Sequence, residues 1–82
     1  MYTLEWKENA LRNLEKLESS IIKRIVKKIE EMKEDPFSCD VKKLKGYQNY
    51  YRLRVGDYRV IFELNIGLIS ILKIGHRKNI YY

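Results

Sequence analysis

Hydrophobic residues change their spacing along the first part of the chain. Tyr2, Leu4 and Trp6 alternate with polar residues, and this two-residue period predicts a short strand with one buried face. Apolar residues then recur every three or four positions from about residue 7 to residue 18, the period of an amphipathic helix. The chain is therefore predicted to begin with a strand followed directly by a helix.

A second stripe of helical period follows Ser19 and Ser20, either of which can cap the helix that begins there. Pro36 disfavours helical geometry at Asp35, so this helix should end near that residue. Two helices with so short a connector form an antiparallel hairpin, and their apolar stripes belong to the core. Residues 36–49 have the polar and glycine-containing composition of a loop.

From Tyr50 onward the two-residue period returns, interrupted by Gly56-Asp57, a two-residue hairpin signal. A turn at this place pairs Arg54 with Arg59 and Arg52 with Ile61 on one face of the sheet. The other face is then apolar or aromatic throughout, so it should pack on the helices, and a one-residue slip of register would bury the arginines instead.

Asn65-Ile66-Gly67 predicts the next turn, with Leu64 opposite Leu68. In that register Arg59 faces Lys73, and a row of like charges crosses the sheet. Like charges directly opposite each other cost about 0.2–1 kcal/mol per pair. We interpret the row as an anion site in which phosphates relieve the repulsion; the alternative is a solvated face whose long side chains spread into water.

Composition narrows the possible functions. The chain has 82 residues with 17 Lys+Arg, 11 Asp+Glu, one cysteine and one histidine. One domain over residues 1–82 is expected, without an internal disulfide or a multi-cysteine zinc site. No apolar run is long enough to cross a membrane and the first residues do not resemble a signal peptide, so we expect a cytoplasmic protein.

The net charge of +6 is carried by the second half of the chain. Residues 1–40 contain 8 basic and 9 acidic residues, whereas residues 41–82 contain 9 basic and 2 acidic ones. Such a basic half indicates a polyanion or an acidic protein as the partner.

The order of these elements and four short motifs resemble the RelE/ParE superfamily of toxin–antitoxin toxins, the RelE branch and its archaeal members most of all. The motifs are Leu44-Lys45-Gly46, Tyr51-Arg52-Leu53-Arg54, Gly56-Asp57-Tyr58-Arg59-Val60-Ile61-Phe62 and Ile74-Gly75-His76-Arg77-Lys78 with Tyr81. The expected fold is α+β: an N-terminal strand, an antiparallel helix hairpin and a three-strand antiparallel meander that forms one sheet packed on the helices.

The resemblance implies a ribosome-dependent endoribonuclease that cleaves mRNA in the A site and thereby inhibits translation. A 2′-hydroxyl attacks the adjacent phosphate without any metal or other cofactor. The resemblance implies functional roles for Arg52, Arg54, Arg59, Arg77 and Tyr81. Its implied partners are a cognate antitoxin, an acidic peptide wrapping the basic face, together with the ribosome and mRNA, and with operator DNA only through the antitoxin.

We assign hypothetical roles on this basis. Arg59 holds the scissile phosphate, Arg77 stabilises the transition state or the leaving group, and Tyr81 is the general base, because an arginine is a poor proton shuttle. His76 is a further acid/base candidate. RNA-backbone binding is assigned to the remaining cations of the basic half: Lys43, Lys45, Arg52, Arg54, Lys73 and Lys78.

Two other functions stay open at this point. A ParE-like protein would poison DNA gyrase, and it shares the fold but lacks the full cationic set. A catalytically inactive domain would bind nucleic acid or act as a co-repressor with the antitoxin. Cleavage of ribosome-bound mRNA, inhibition of gyrase, or RNA binding without cleavage distinguishes the three.

Overall fold

The computed structural model describes residues 1–80, and Tyr81 and Tyr82 lie outside that range. Two helices and five strands follow each other in the order of a strand, a helix pair and four further strands. Their bounds are β1 Thr3–Trp6, α1 Glu8–Glu15, α2 Ser19–Met32, β2 Val41–Lys43, β3 Tyr50–Val55, β4 Tyr58–Asn65 and β5 Leu68–His76, with a 3₁₀ turn at Pro36–Ser38. The predicted α+β class, with a helix hairpin packed on one sheet, is confirmed.

The sheet has the strand order β1-β5-β4-β3-β2. β1 runs parallel to β5, and the other neighbours are antiparallel, so the sheet is mixed. The N-terminal strand thus occupies one edge, and β2, which lies inside the segment predicted to be a loop, occupies the other. β2 is only three residues long and two of them are lysines, so its strand character is weak in the sequence.

One face of the sheet packs against both helices. The core includes Ile25, Ile29 and Met32 of α2, Ala10 of α1, and the apolar residues of the last three strands: Leu53, Val55, Val60, Phe62, Ile69, Ile71 and Ile74. These are the strand positions that the two-residue period assigned to the inner face in β3 and β4. Burial of this face fixes the direction of every alternate side chain in β3 and β4.

The predicted cap of α2 is wrong. Its N-cap residue is Glu18, no side-chain cap hydrogen bond forms there, and Ser19 and Ser20 are already inside the helix. The helix ends at Met32, with a further turn before Pro36 in which the amides of Lys33 and Glu34 bond to carbonyls three residues back. The 3₁₀ turn has the usual cap instead, because the Asp35 carboxylate accepts from the Phe37 amide.

A side-chain hydrogen bond joins β1 to β5 in addition to the ladder. The Ser70 hydroxyl, which is buried, donates to the Glu5 carboxylate over 2.9 Å, and the Lys7 ammonium lies 3.3 Å from the same carboxylate. The hydrogen bond from Ser70 and the nearby charge of Lys7 hold the pKa of Glu5 below its usual value.

The described residues contain neither a helix long and apolar enough to span a membrane nor a metal-ligating group of three or more His, Cys, Asp or Glu side chains.

Candidate nucleic-acid interface

The face of the sheet turned away from the helices carries a row of basic side chains. Arg54 pairs with Arg59, and Arg52 pairs with Ile61, as the Gly56-Asp57 turn predicted. Since Leu53, Val55 and Val60 point into the core, the arginines between them point to the opposite face. We call this set, which comes from four adjacent strands, the cationic face: Lys42, Arg52, Arg54, Arg59 and Lys73.

The predicted register of the last hairpin is wrong, and with it the pairing of Arg59 with Lys73. Asn65 pairs with Leu68, so the turn is the two-residue Ile66-Gly67, with Gly67 at φ 71°. The register then shifts between Ile61 and Phe62, and Leu72 is the extra residue on β5.

The register shift changes the residue of β5 that pairs with Arg59. It places Lys73 opposite Ile61 and Gly75 opposite Arg59. Lys73 stays on the cationic face but lies two positions along the strand from where the simple alternation put it.

A carboxylate that the sequence interpretation missed lies among these cations. The Asp40 carboxylate is 3.8 Å from Arg52 Nη1 and 4.0 Å from Arg54 Nε, and the Asp40 carbonyl accepts from the Arg54 amide over 2.9 Å. Both ion-pair distances exceed a hydrogen bond, and one carboxylate is shared by two guanidinium groups. Arg52 and Arg54 are thus partly neutralised, and the face keeps an excess of positive charge.

Arg59 makes a different set of contacts. Its Nη1 donates to the carbonyls of Gly56 and Tyr58, over 3.0 and 3.1 Å. Within residues 1–80 it has no ion pair with a carboxylate, so its full charge remains available to an anion. The turn carbonyls hold the guanidinium in place and leave its other donors for a ligand.

Arg77 follows the end of β5 and continues the hairpin ladder. Its amide donates to the Asp57 carbonyl over 2.8 Å, and its Nε lies 3.7 Å from the Asp57 carboxylate. Asp57 is therefore more than the turn residue that the sequence indicated. Both side chains are largely exposed, so this ion pair is weak and an anionic ligand can replace it.

Gly75 lets the chain fold back over the cationic face. A Cβ atom on Gly75 would lie 3.3 Å from the Cβ of Ile80, so Ile80 packs directly on the glycine that is paired with Arg59. The segment after β5 thus returns to the neighbourhood of Arg59. The predicted general base, Tyr81, lies outside the described residues, and its role stays a prediction.

His76 lies on the helix-facing side of the sheet, opposite to the cationic face. It pairs with Tyr58, whose ring it contacts edge-on at 5.5 Å, and its Nδ1 accepts from the Lys78 amide. Tyr58 belongs to the helix-facing side, so the structure does not bring His76 to the arginines.

The predicted RNA-binding lysines are spread around the face. Lys45 lies in the exposed loop after β2 and helps to line a shallow cleft of about 280 Å³ together with Lys42, Lys43, Leu44 and Arg52. Lys43 pairs with Tyr51, on the helix-facing side, whereas Lys42 pairs with Arg52 and belongs to the cationic face. The sequence analysis did not assign Lys42 to RNA binding, because its position depends on β2. Lys78 is exposed in the turn after β5.

Known proteins resemble this chain in sequence and fold. Residues 4–81 match the family model described as ParE toxin of type II toxin-antitoxin system, parDE. The chain belongs to this toxin family. Toxin RelE3 of Methanocaldococcus jannaschii is 41% identical over 75 residues, which cover 87% of this chain and 85% of that protein.

Two solved structures place the chain in the RelE branch. It resembles the toxin in the RelB-RelE antitoxin-toxin complex from Methanococcus jannaschii, with a TM-score of 0.80, 37% identity and 94% of each chain covered. It also resembles a chain of the archaeal RelE-RelB complex from Pyrococcus horikoshii OT3, with a TM-score of 0.81 and 29% identity. The match covers 96% of this chain and 98% of that chain. The chain is accordingly a RelE-branch toxin of the archaeal kind.

Proposed function

We propose that this RelE-branch toxin is a ribosome-dependent endoribonuclease that cleaves mRNA and arrests translation. The observation that carries the proposal is the Arg54–Arg59 pair on the face of the sheet turned away from the helices, where like charges meet and Arg59 has no carboxylate partner in residues 1–80. A phosphate bound between these groups replaces repulsion with attraction.

The chemistry needs no metal, because the RNA supplies its own nucleophile. The 2′-oxygen attacks the adjacent phosphorus, the bond from phosphorus to the 5′-oxygen breaks, and the products are a 2′,3′-cyclic phosphate and a 5′-hydroxyl. Arg59 binds the phosphate and stabilises the charge that develops on it, and Arg77 donates to the leaving 5′-oxygen. The proton of the 2′-hydroxyl goes to Tyr81 in its phenolate form, which nearby cations favour; this role rests on the resemblance, and the 5′-oxygen takes a proton from solvent.

The remaining cations hold the RNA backbone. Arg52, Arg54 and Lys73 lie on the cationic face with Arg59, and Lys45 and Lys78 are exposed in the loops that follow β2 and β5. The site offers strong anion binding but no efficient proton shuttle among its described residues. The ribosome would therefore supply much of the rate by orienting the mRNA.

We further propose a cognate antitoxin as the partner that restrains this activity. The toxins in both archaeal complexes are bound to a RelB antitoxin. The excess of positive charge on the cationic face suits an acidic peptide, which would compete with RNA for the same guanidinium groups.

Primer-extension mapping of mRNA in a translation reaction tests the nuclease proposal. The protein should produce new 3′ ends inside the reading frame, and Arg59→Ala should reduce their rate by about 10²-fold, the usual loss for one transition-state donor. Arg12→Ala is the matched control, since Arg12 is an exposed helix residue whose ion pair within residues 1–80 is with Glu8. Unchanged cleavage by Arg59→Ala would contradict the assigned site.

A second function remains to be compared, because the matching family model bears the ParE name. A gyrase poison would inhibit supercoiling by purified gyrase and leave mRNA intact. Running both assays on one preparation decides between them, and the large cationic set on the sheet favours RNA.

A further inference from the structure

We infer that Tyr47 and Tyr50 form a base-stacking platform that holds an unpaired nucleotide of the RNA beside the cationic face. The inference rests on the proposed RNA-binding function and adds a binding site outside the arginines. The two rings are nearly parallel, at 4°, with centroids 5.6 Å apart. Offset parallel stacking of this kind leaves the outer face of the exposed ring as a surface onto which a nucleobase can stack.

The backbone fixes this pair before any ligand binds. Tyr47 is in the β2–β3 loop between Gly46 and Asn49, which both have positive φ, at 80° and 64°. The Leu44 amide donates to the Tyr50 carbonyl over 3.0 Å, and the Asn49 carbonyl accepts from the Leu64 amide over 2.9 Å. Both ends of the loop are therefore tied to the sheet, and the ring of Tyr47 is presented with little conformational freedom left to lose.

The position of the pair connects it to the arginines. Tyr50 alternates with Tyr51 and lies on the same face of β3 as Arg52 and Arg54. Tyr47 is stacked on Tyr50 and is still 42% exposed, so part of its ring is open to a ligand. The cleft lined by Lys42, Lys45 and Arg52 begins beside the same loop.

These neighbours favour a nucleotide over a peptide. A nucleotide has a flat ring for the tyrosine and a phosphate for the lysines, so it uses both features together. A peptide would satisfy the lysines through carboxylates but would gain less from a parallel aromatic pair. Stacking is also tolerant of base identity, which suits an enzyme that must accept many messages.

The test uses short 2′-O-methyl RNA oligonucleotides, which cannot be cleaved, each with 2-aminopurine at a different position. Stacking quenches this fluorophore. The wild-type protein should quench strongly at one position, and Tyr47→Phe should keep the effect, because the ring and not the hydroxyl is required. Tyr47→Ala should abolish that quenching and weaken binding by about 5- to 150-fold, the range for losing one base–aromatic stack.

Two comparisons separate stacking from general damage. Phe37→Ala removes another exposed ring, which packs on Tyr51 on the helix-facing side, and should leave quenching and affinity unchanged. The slope of log affinity against log salt should be the same in Tyr47→Ala and the wild type, because no charge is altered. Near-ultraviolet circular dichroism checks that each variant is folded.

Several results would overturn the platform. They are unchanged affinity and quenching in Tyr47→Ala, no position-specific quenching by the wild type, or a loss of antitoxin binding in Tyr47→Ala without any loss of RNA binding. Primer extension on the same proteins keeps the two proposals apart. Position-specific quenching without mRNA cleavage refutes the nuclease and retains the platform, whereas cleavage with unchanged RNA binding in Tyr47→Ala does the reverse.

Discussion

Arg54 and Arg59 are directly opposite each other across the β3–β4 hairpin. Guanidinium groups at this spacing repel, and among residues 1–80 the carboxylate of Asp40 is 4.0 Å from Arg54 and forms no ion pair with Arg59. The sheet therefore retains an unfavourable pair at the place where RNA binding is proposed. A negatively charged ligand bound between the two arginines would attract both of them and so offset their repulsion.

A double-mutant cycle measures the repulsion. Arg54→Gln, Arg59→Gln and the double variant should give a coupling free energy of about 0.2–1 kcal/mol, with the two arginines destabilising each other. The coupling should shrink as salt is raised, because the groups are exposed enough to be screened. Urea unfolding gives the four free energies. A coupling of zero or of opposite sign at low salt would mean that the groups do not repel.

Asp40 sets the net charge of the cationic face. Asp40→Asn should tighten binding of a single-stranded oligonucleotide at low salt and steepen its salt dependence, since Arg52 and Arg54 both lose a shared counter-charge. Stability should change by no more than about 1 kcal/mol, because the ion pairs are long and Asp40 is mostly exposed. Affinities measured across a salt series test this.

Glu34→Gln is the control for that experiment. It removes one negative charge from an exposed residue just after α2, away from the cationic face. If both variants bind the oligonucleotide equally well, the total charge of the protein matters and the position of Asp40 does not.

The hairpin turn that aligns the arginines requires a glycine. Gly56 has φ 58°, and a Cβ there would come within 2.7 Å of Arg24 Nη2. Gly56→Ala should therefore destabilise the protein by about 1 kcal/mol, chiefly through the backbone, because the guanidinium can move aside. Gly46→Ala has the same backbone penalty at φ 80° but no neighbour within 4 Å. Similar urea midpoints for the two variants are expected, and a much larger loss in Gly56→Ala would mean that Arg24 cannot move.

The lowered pKa of Glu5 predicts that the stability of the protein depends on pH. The pKa of this carboxyl is lowered in the folded chain by the hydrogen bond from Ser70 and by Lys7. A lowered folded-state pKa means that this contribution is fully present above the usual glutamate pKa and is lost as the pH falls through the lower, folded value. The stability difference between wild type and Glu5→Gln should be constant near neutrality and shrink on acidification. Urea titrations at a series of pH values test this, and a difference that grows in acid would contradict it.

The sequence predicted β3 and β4 in detail because two independent signals agree there. The Gly56-Asp57 turn sets the register, and the unbroken apolar alternation sets the faces. In β5 the run Ile69-Ser70-Ile71-Leu72 has no clean alternation, so nothing in it marks Leu72 as the bulged residue. For this reason the predicted cross-strand partner of Arg59, Lys73, was wrong, and Gly75 takes its place.

The contacts of Asp40 could not be found from the sequence for a different reason. They depend on β2, a three-residue edge strand whose two lysines resemble a loop. Only its pairing with β3 brings Asp40 to Arg54 and Lys42 to Arg52. Side chains that meet through a short edge strand carry no periodic signal, and the same holds for the Arg77–Asp57 contact beyond the end of β5.

The parallel pairing of β1 with β5 joins the beginning of the chain to nearly its end, with Thr3 beside Leu68. During synthesis β1 is made long before β5, so the sheet stays incomplete until β5 has been added. Closing this edge of the sheet therefore requires a contact between distant segments, which makes it a slower step of folding than the local β3–β4 and β4–β5 hairpins.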